Sequence, residues 1–583
     1  MDAHRTVPLT VGSLVGAVLV TGTLLLPSAP GVDFSHCVEI TVVSSTEKDH
    51  LITELAEQYN DAHRVADQWC GEIEVNAVSS GAASEQLQHG WDEQATGSRR
   101  PDIWLPSTSL WAGLLEYRTG RDLVSGEDDS ITTSPLVIAM PEKMARALGW
   151  PEKSLGWSDL RELAATRDWS RYGHPEWGHF AMGKDNPRLS SSGLAATIAT
   201  YYAATRDIGG FTEQNLSANA DVLKFVRDIE SSVTHYSDDS VAFLEKLSIS
   251  YPEPVISAMA IQEQMVYLYN TGGLAGDAPS SSGDGPVDPL VAIHPDDGTV
   301  LVDHPFLVLR DVDEAKRAVA NDFRDFLLSE EAQRKFSEEG FRDHEGGIDD
   351  EVARVVNSEG RNSPEPRPID PPSAAQVEHM LRAWEDARRR GSVLLLLDVS
   401  KSMTELADPG ATEPQSKLEL LEPAVLRGLE LLDDDDEVAL WTFSEDPNVH
   451  EVMPMSPVKQ VREELTQRVS DALRVRGDRT ALYKATYRAH EAMRANLDVE
   501  RINAIVLLTD GHDTTHDMSL DELLQAIDPE YLDSSVRIFT ISYGKDADRD
   551  TLSEIAATSQ ARHYDARDPH EIDQVFLSAF SNF

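Results

Sequence analysis

Short apolar runs recur along this chain, and most are followed by a stretch with helical spacing. VEITVVSS (38–45) precedes a helical pattern over 48–64, and EIEVNAVSS (72–80) precedes another over 85–96. PDIWLPS, PLVIAMPE and HFAMGK continue the series, with helices expected near 194–205 and 315–339. Apolar runs alternating with amphipathic stretches predict parallel sheets covered by helices. About 300 residues of this pattern fit two α/β lobes better than one core. The rhythm breaks at SEGRNSPEPRPIDPPS (358–373), whose five prolines predict a semi-rigid linker. After a helix over 374–390 the pattern resumes. Strands are expected over 393–397, 437–443, 502–509, 536–543 and near 563–564. Helices are expected over 417–432, 461–473, 482–494, 520–527, 549–557 and 569–580, which makes a doubly wound α/β domain. The expected division is an N-terminal segment over 1–36, a two-lobed module over 37–345, a linker over 346–373 and the second domain over 374–583.

The N-terminal segment changes where the rest belongs. Val7–Leu26 carries no charge and is long enough to cross a bilayer. His4 and Arg5 precede it and the next charge is Asp33, so the bulk of the chain is expected outside. The exit LLLPSAPGVD makes a poor cleavage site, which favours an uncleaved single-pass anchor over a cleaved signal and secretion. Only two cysteines occur, Cys37 and Cys70, each just ahead of a β-branched run. Neighbouring parallel strands would bring them together, and export favours a disulfide. Net charge is −50, from 101 acidic and 51 basic residues. Such a surface repels nucleic acid and anionic lipid, so neither is expected as a main partner.

Five oxygen-bearing residues in the second domain then stand out. Asp398, Ser400 and Ser402 lie in LLLLDVSKSM, Thr480 in GDRTALYKA and Asp510 in IVLLTDGHD. Two of these segments leave apolar runs at what would be the carboxyl edge of a parallel sheet, where ligands bind. Hydroxyls with carboxylates suit a hard cation, Mg²⁺ or else Mn²⁺ or Ca²⁺. Each segment alone also reads as a cap or a turn, and the combination makes the site. The stretch 391–583 resembles a von Willebrand factor type A domain, and these five residues match its metal-ion-dependent adhesion site. The resemblance implies a central sheet, one Mg²⁺-like ion, and a protein partner donating a carboxylate to the open coordination position. Lys401 departs from the glycine that many bacterial members carry, and sets an ammonium beside the expected site.

The first module resembles bacterial extracellular solute-binding proteins over about 38–342, through DHPFLVLRDVDEAKRAVANDFRDFLLSEEAQRKFSEEGFR, GWSDL and NPRLSSSGLAATIATYYAA. That resemblance implies two lobes closing on a ligand by a hinge. Four hydroxyl clusters at strand ends are candidate ligand groups: Ser44, Ser45 and Thr46; Ser79 and Ser80, followed by Gly81; Ser107 and Thr108; and Ser190, Ser191, Ser192 and Gly193. Each equally reads as an N-cap, and the helix N-termini would favour an anion or a carbonyl.

No Walker loop, Gly-x-Ser-x-Gly elbow or His-Glu-x-x-His helix is present. His512, Asp513, His516 and Asp517 cluster after Asp510, as a polar loop or a second metal site. The chain therefore reads as an envelope-anchored, non-enzymatic binding protein with a solute-binding-like module and a metal-dependent adhesion module. The alternatives are a transport receptor feeding a permease, and a metal-dependent hydrolase with His512 as base.

Overall fold

A computed structural model describes residues 37–583, apart from 97, 126–129, 167, 207–218, 238–239, 242–243, 245–255, 275–287, 358–365, 408–413, 446–448 and 530–534. The expected anchor, Val7–Leu26, lies outside the described residues. Among those described, no helix is long and apolar enough to cross a membrane.

Three six-stranded sheets organise the described residues. The first runs Val65–Ala66, Trp69–Ala77, Val38–Ser44, Ile103–Leu105, Leu307–Leu309, Val124–Ser125 in spatial order. The second runs Leu290–Ile293, Ser134–Pro141, Ala258–Gln262, Met182–Asp185, Val233–Ser237, with Leu301–Val302 pairing beside Ser134–Pro141. Both sheets are mixed, where the apolar rhythm predicts parallel ones. The reason is the route of the chain, which crosses from the first lobe to the second after Ser125 and returns after Val302. The crossing segments pair antiparallel: Ile131 N–H donates to the His304 carbonyl at 3.1 Å, and Ser130 bridges Pro305. Such paired crossings form the seam about which two lobes can move. Cys37 and Cys70 are joined by a disulfide at the start of the two neighbouring parallel strands, with Cα atoms 4.8 Å apart.

The third sheet has the order His450–Pro457, Glu437–Phe443, Arg390–Asp398, Arg501–Thr509, Arg537–Tyr543, His563–Ala566. Five strands are parallel and lie where the apolar runs predict them. The sixth, His450–Pro457, is an antiparallel edge strand that the pattern missed. Its two prolines and broken alternation hide it, and an edge is where proline is tolerated in a sheet. Arg390–Asp398 pairs on both sides, and Leu394–Leu397 are buried on both faces.

In the stretch expected to be a linker, described residues on either side of 358–365 are packed. The helix Asp350–Val356 buries Val352 and Val356, and residues 366–370 run against the second lobe, where Thr299 N–H donates to the Arg367 carbonyl at 2.9 Å. The prolines set an extended backbone there, and the lobe supplies the hydrogen bonds that such a backbone lacks. The helix Ala374–Ala387 then packs across both lobes: on Leu110–Thr119 of the first and on Ser191–Thr205 and Ala220–Glu230 of the second. Its buried face is Val377, Met380, Leu381 and Trp384, and Arg118 pairs with Glu378 at 2.8 Å. The second domain also docks directly through residues that follow its last helix, with Asn186 Nδ2 donating to the Ser581 carbonyl at 3.0 Å and Tyr236 N–H to the Asn582 carbonyl at 3.2 Å.

Trp384 is the largest side chain in this helix contact, with its ring edge-on to Tyr236 at 5.3 Å between centroids. Trp384→Ala is expected to cost about 3–5 kcal/mol. A urea titration of the full chain reads this as a lower midpoint, and a loss under about 1 kcal/mol would show that the helix is not part of the shared core.

Candidate functional site

The Arg390–Asp398 strand ends on a carboxylate with no solvent exposure. Asp398 Oδ1 accepts from the Ser400 N–H at 2.8 Å, and Oδ2 from the Thr509 hydroxyl at 2.5 Å. The backbone turns so that the Ser400 and Ser402 hydroxyls lie 3.1 Å apart, and Ser402 donates to Asp510 Oδ1 at 2.7 Å. Asp510 follows the neighbouring Arg501–Thr509 strand and is buried as well. Thr480 enters from a third loop. Its N–H donates to the Thr514 hydroxyl at 2.8 Å, and a β-carbon on Gly511 would lie 3.7 Å from its own hydroxyl. Ser400 pairs with Gly477 of that loop as an isolated bridge. Three loops at the carboxyl edge of one sheet thus bring together all five predicted oxygen residues.

Burial first, and then the charge of Asp510, push the Asp398 carboxyl up to about 7 against the pull of Thr509 and Ser400. A buried carboxylate held beside a second one is stabilised by a cation. The donor set of two carboxylates and three hydroxyls fits a hard divalent ion. Among the described residues no cluster of three or more His, Cys, Asp or Glu is placed to hold a metal. His512 is exposed and bonded through Nδ1 to Asp548 at 2.9 Å, and Asp513 accepts backbone N–H groups from Tyr483 and His516.

Lys401, singled out by position, lies away from this cluster. Its side chain is 73% exposed and lies 3.9 Å from Asp478. The cation in the site is one that the sequence reading missed: Lys417, whose ammonium donates to Asp510 Oδ2 at 2.7 Å and is 7% exposed. A signal for it exists. Lys417 is the first residue of the Lys417–Glu430 helix, where the helix dipole opposes a positive charge. A lysine there points to an anion nearby.

The second site lies between the two lobes. Ser45, Thr46, Ser79, Ser80, Ser107, Ser190, Ser191 and Ser192 line one small cavity together with Glu47, Ser240, Gln262 and Met265. The room for the centre of a water-sized sphere is about 20 Å³, enough for one or two waters. The other three predicted residues have backbone roles. Ser44 donates to the Ser45 carbonyl, Thr108 accepts the Leu110 N–H, and Gly193 lets its helix approach the Asp185 carbonyl where a side chain would collide. Contacts across the cleft hold it shut: Gly81 N–H to the Leu189 carbonyl at 2.8 Å, and Trp111 Nε1 to Ser191 Oγ at 2.8 Å. Asp185 gathers the Ser190 and Ser240 hydroxyls. Glu47 accepts from Ser45 at 2.9 Å beside a fully buried Lys48.

Residues 40–342 match the family described as bacterial extracellular solute-binding protein. The chain belongs to that family. Residues 392–576 match the von Willebrand factor type A domain, so this solute-binding protein carries a second, fused domain. Uncharacterized proteins of two Mycobacterium tuberculosis strains are each 22% identical over 543 residues, covering 89% of this chain and 73% of theirs. The fold of the first module is similar to that of the periplasmic binding protein AfuA from Actinobacillus pleuropneumoniae. That match has 12% identity and a TM-score of 0.38, over 60% of this chain and 98% of AfuA. A von Willebrand factor type A protein from Catenulispora acidiphila matches at 20% identity and a TM-score of 0.27, over 33% of this chain and 42% of that one.

The buried groups beside the cleft of this solute-binding protein set an acid limit on its stability. Burial, then the Lys48 ammonium, push His304 from its ordinary 6.5 down to about 3 against the pull of Glu47. Burial raises Glu47, but Lys48, His304 and Ser107 outweigh it and bring it from 4.5 to about 2. Both folded values lie below the unfolded ones, so the unfolded chain takes up protons first as pH falls. Stability is expected to drop from pH 6.5 to 4.5 through His304, and further below 4.5 through Glu47, by up to about 1.4 kcal/mol per pH unit for each proton. His304→Gln should flatten the upper part of that slope in urea titrations across this range. An unchanged slope between pH 6.5 and 4.5 would show that His304 does not carry it.

Proposed function

We propose that this chain is a non-enzymatic binding protein of the cell envelope. Its von Willebrand factor type A domain engages a protein partner through a Mg²⁺-type ion held by Asp398, Ser400, Ser402, Thr480 and Asp510. The cleft takes a small solute, or a fragment of one, through its hydroxyl lining. The observation that carries the first half is the chain of contacts from Asp398 through Ser400 and Ser402 to Asp510 at the carboxyl edge of the sheet. When bound, the ion supplies a Lewis-acidic position for a carboxylate of the partner. The residues of this chain orient the ion-facing oxygens, and the buried strand beneath excludes water from one side of them. The Cys37–Cys70 disulfide supports an oxidising location outside the cytoplasm, with 1–36 as the anchor.

The position of the Ala374–Ala387 helix favours this reading over a receptor that hands solute to a permease. A hand-off needs the lobes to part, and the helix packs on both of them. Closure is then a stable state whose surface, including the second domain, is what partners meet.

Two measurements test the reading. Calorimetry of Mg²⁺ into the full chain should show one site, and Asp398→Ala should weaken it by about 100-fold or more, as loss of a direct ligand does. Absence of binding in the unaltered chain would remove the metal-dependent half. For the cleft, calorimetry against ions, sugars and amino acids should give heat for one class, and Ser80→Trp, which fills the cavity, should abolish that heat. A uniform lack of heat would leave the cleft a structural closure.

A further inference from the structure

Asp510 is held from two sides. Its Oδ1 accepts from Ser402 at 2.7 Å, and its Oδ2 accepts from the Lys417 ammonium at 2.7 Å. The ammonium is not a surface group that happens to reach inward. Lys417 is buried, a condition lysine rarely meets without a fixed partner. Its backbone is fixed as firmly as its tip. Its N–H donates to the Glu405 carbonyl at 3.0 Å, its carbonyl accepts from the Tyr543 hydroxyl at 2.9 Å, and Ser416 with Glu419 closes a capping box around the helix start. Gly544 leaves room for its stem: a β-carbon there would stand 3.3 Å from the lysine Cε, at a backbone φ of +85°. The second carboxylate within reach, Glu405, lies at 3.5 Å and is 63% exposed, so Asp510 is the buried partner.

The charge of the site follows. Asp398 and Asp510 alone would present two negative charges, which a divalent ion would cancel. With both carboxylates ionised and Lys417 beside Asp510, the empty site carries one net negative charge and the loaded site one net positive charge. In a place this dry, that single charge is felt strongly by both the ion and an arriving anion. We propose that Lys417 sets the selectivity of the metal site: it weakens the hold on the ion and leaves the loaded site electropositive, so that acidic partner groups are favoured over neutral ones. The proposal rests on the metal reading given above and adds a residue outside the five, Lys417, that sets how strongly the site holds its ion and prefers an anion.

The test uses the full chain with Lys417→Met and Lys417→Arg. Mg²⁺ alone is titrated by calorimetry at fixed ionic strength. Acetate and, as the neutral probe, acetamide are then titrated into the Mn²⁺-loaded proteins, with water-proton relaxation reporting displacement of water from the ion. Lys417→Met should bind Mg²⁺ about tenfold tighter or more and lose most of the preference for acetate over acetamide. Lys417→Arg, which keeps the charge, should stay within about threefold of the unaltered chain on both counts. If Lys417→Met does not fold, as its circular dichroism would show, Lys417→Gln takes its place. A folded variant lacking the charge that binds Mg²⁺ no tighter, or that keeps the acetate preference, overturns the proposal and leaves Lys417 a structural ion pair. If the unaltered chain binds no Mg²⁺, the metal reading fails and this proposal with it; if it binds Mg²⁺ and only the variants behave alike, the failure is of the proposal alone.

Discussion

The Arg390–Asp398 strand is covered on both faces and paired on both edges, so its only outlet is its carboxyl end. A carboxylate placed there can neither retreat into the apolar core nor reach bulk water. Its charge has to be met by groups that arrive from other loops. Much of the local architecture answers that demand. Thr509 and the Ser400 N–H take the two oxygens of Asp398, the Ser400–Ser402 turn brings two hydroxyls over it, and Asp510 arrives from the adjacent strand. Adding Asp510 doubles the problem, because a second carboxylate raises the cost of ionising the first. The cluster is therefore arranged for a positive charge, and Lys417 provides part of it from within the chain.

The cleft of the first module solves a different problem with similar means. Two lobes that meet must satisfy their facing polar groups, and hydroxyls do so with little desolvation cost compared with charges. The serines at the helix starts face one another and the opposite lobe, as Trp111 with Ser191 shows. The charged pair Glu47 and Lys48 is kept beside this seam, with each charge held by the other. The second domain is built onto the same seam. Asn186, which docks on Ser581, follows Asp185, the residue that gathers Ser190 and Ser240. The cleft wall and the contact with the second domain are therefore neighbours in sequence.

Most of the third sheet could be read from the chain because buried parallel strands leave an unmixed apolar signal. Glu437–Phe443 and Leu520–Ile527 stand where the pattern puts them, and the other strands and helices differ by only a few residues at their ends. The edge strand His450–Pro457 escaped for the opposite reason: one face is exposed and prolines interrupt it. Antiparallel pairing in the first two sheets escaped because periodicity reports burial and not direction. Ser44, Thr108 and Gly193 were indistinguishable from cavity-lining residues in the sequence, since capping and ligand binding use the same side chains.

Lys417 and Lys401 show where reading along the chain stops being a guide to charge. Lys401 is one residue from two of the candidate oxygen residues, yet it opens a short 3-10 helix and its side chain is exposed to solvent. Lys417 is sixteen positions further on, and the start of its helix aims it back at Asp510. Distance in sequence decided nothing; the direction in which the helix begins did. The dipole at that helix start works against a cation, so the ammonium is retained there only because Asp510 compensates it. The same dipole favours Asp510 itself, whose charge lies near the helix N-terminus. Helix, lysine and carboxylate thus form one electrostatic unit at the sheet edge, and the carboxyl that this unit leaves without a cation beside it is Asp398.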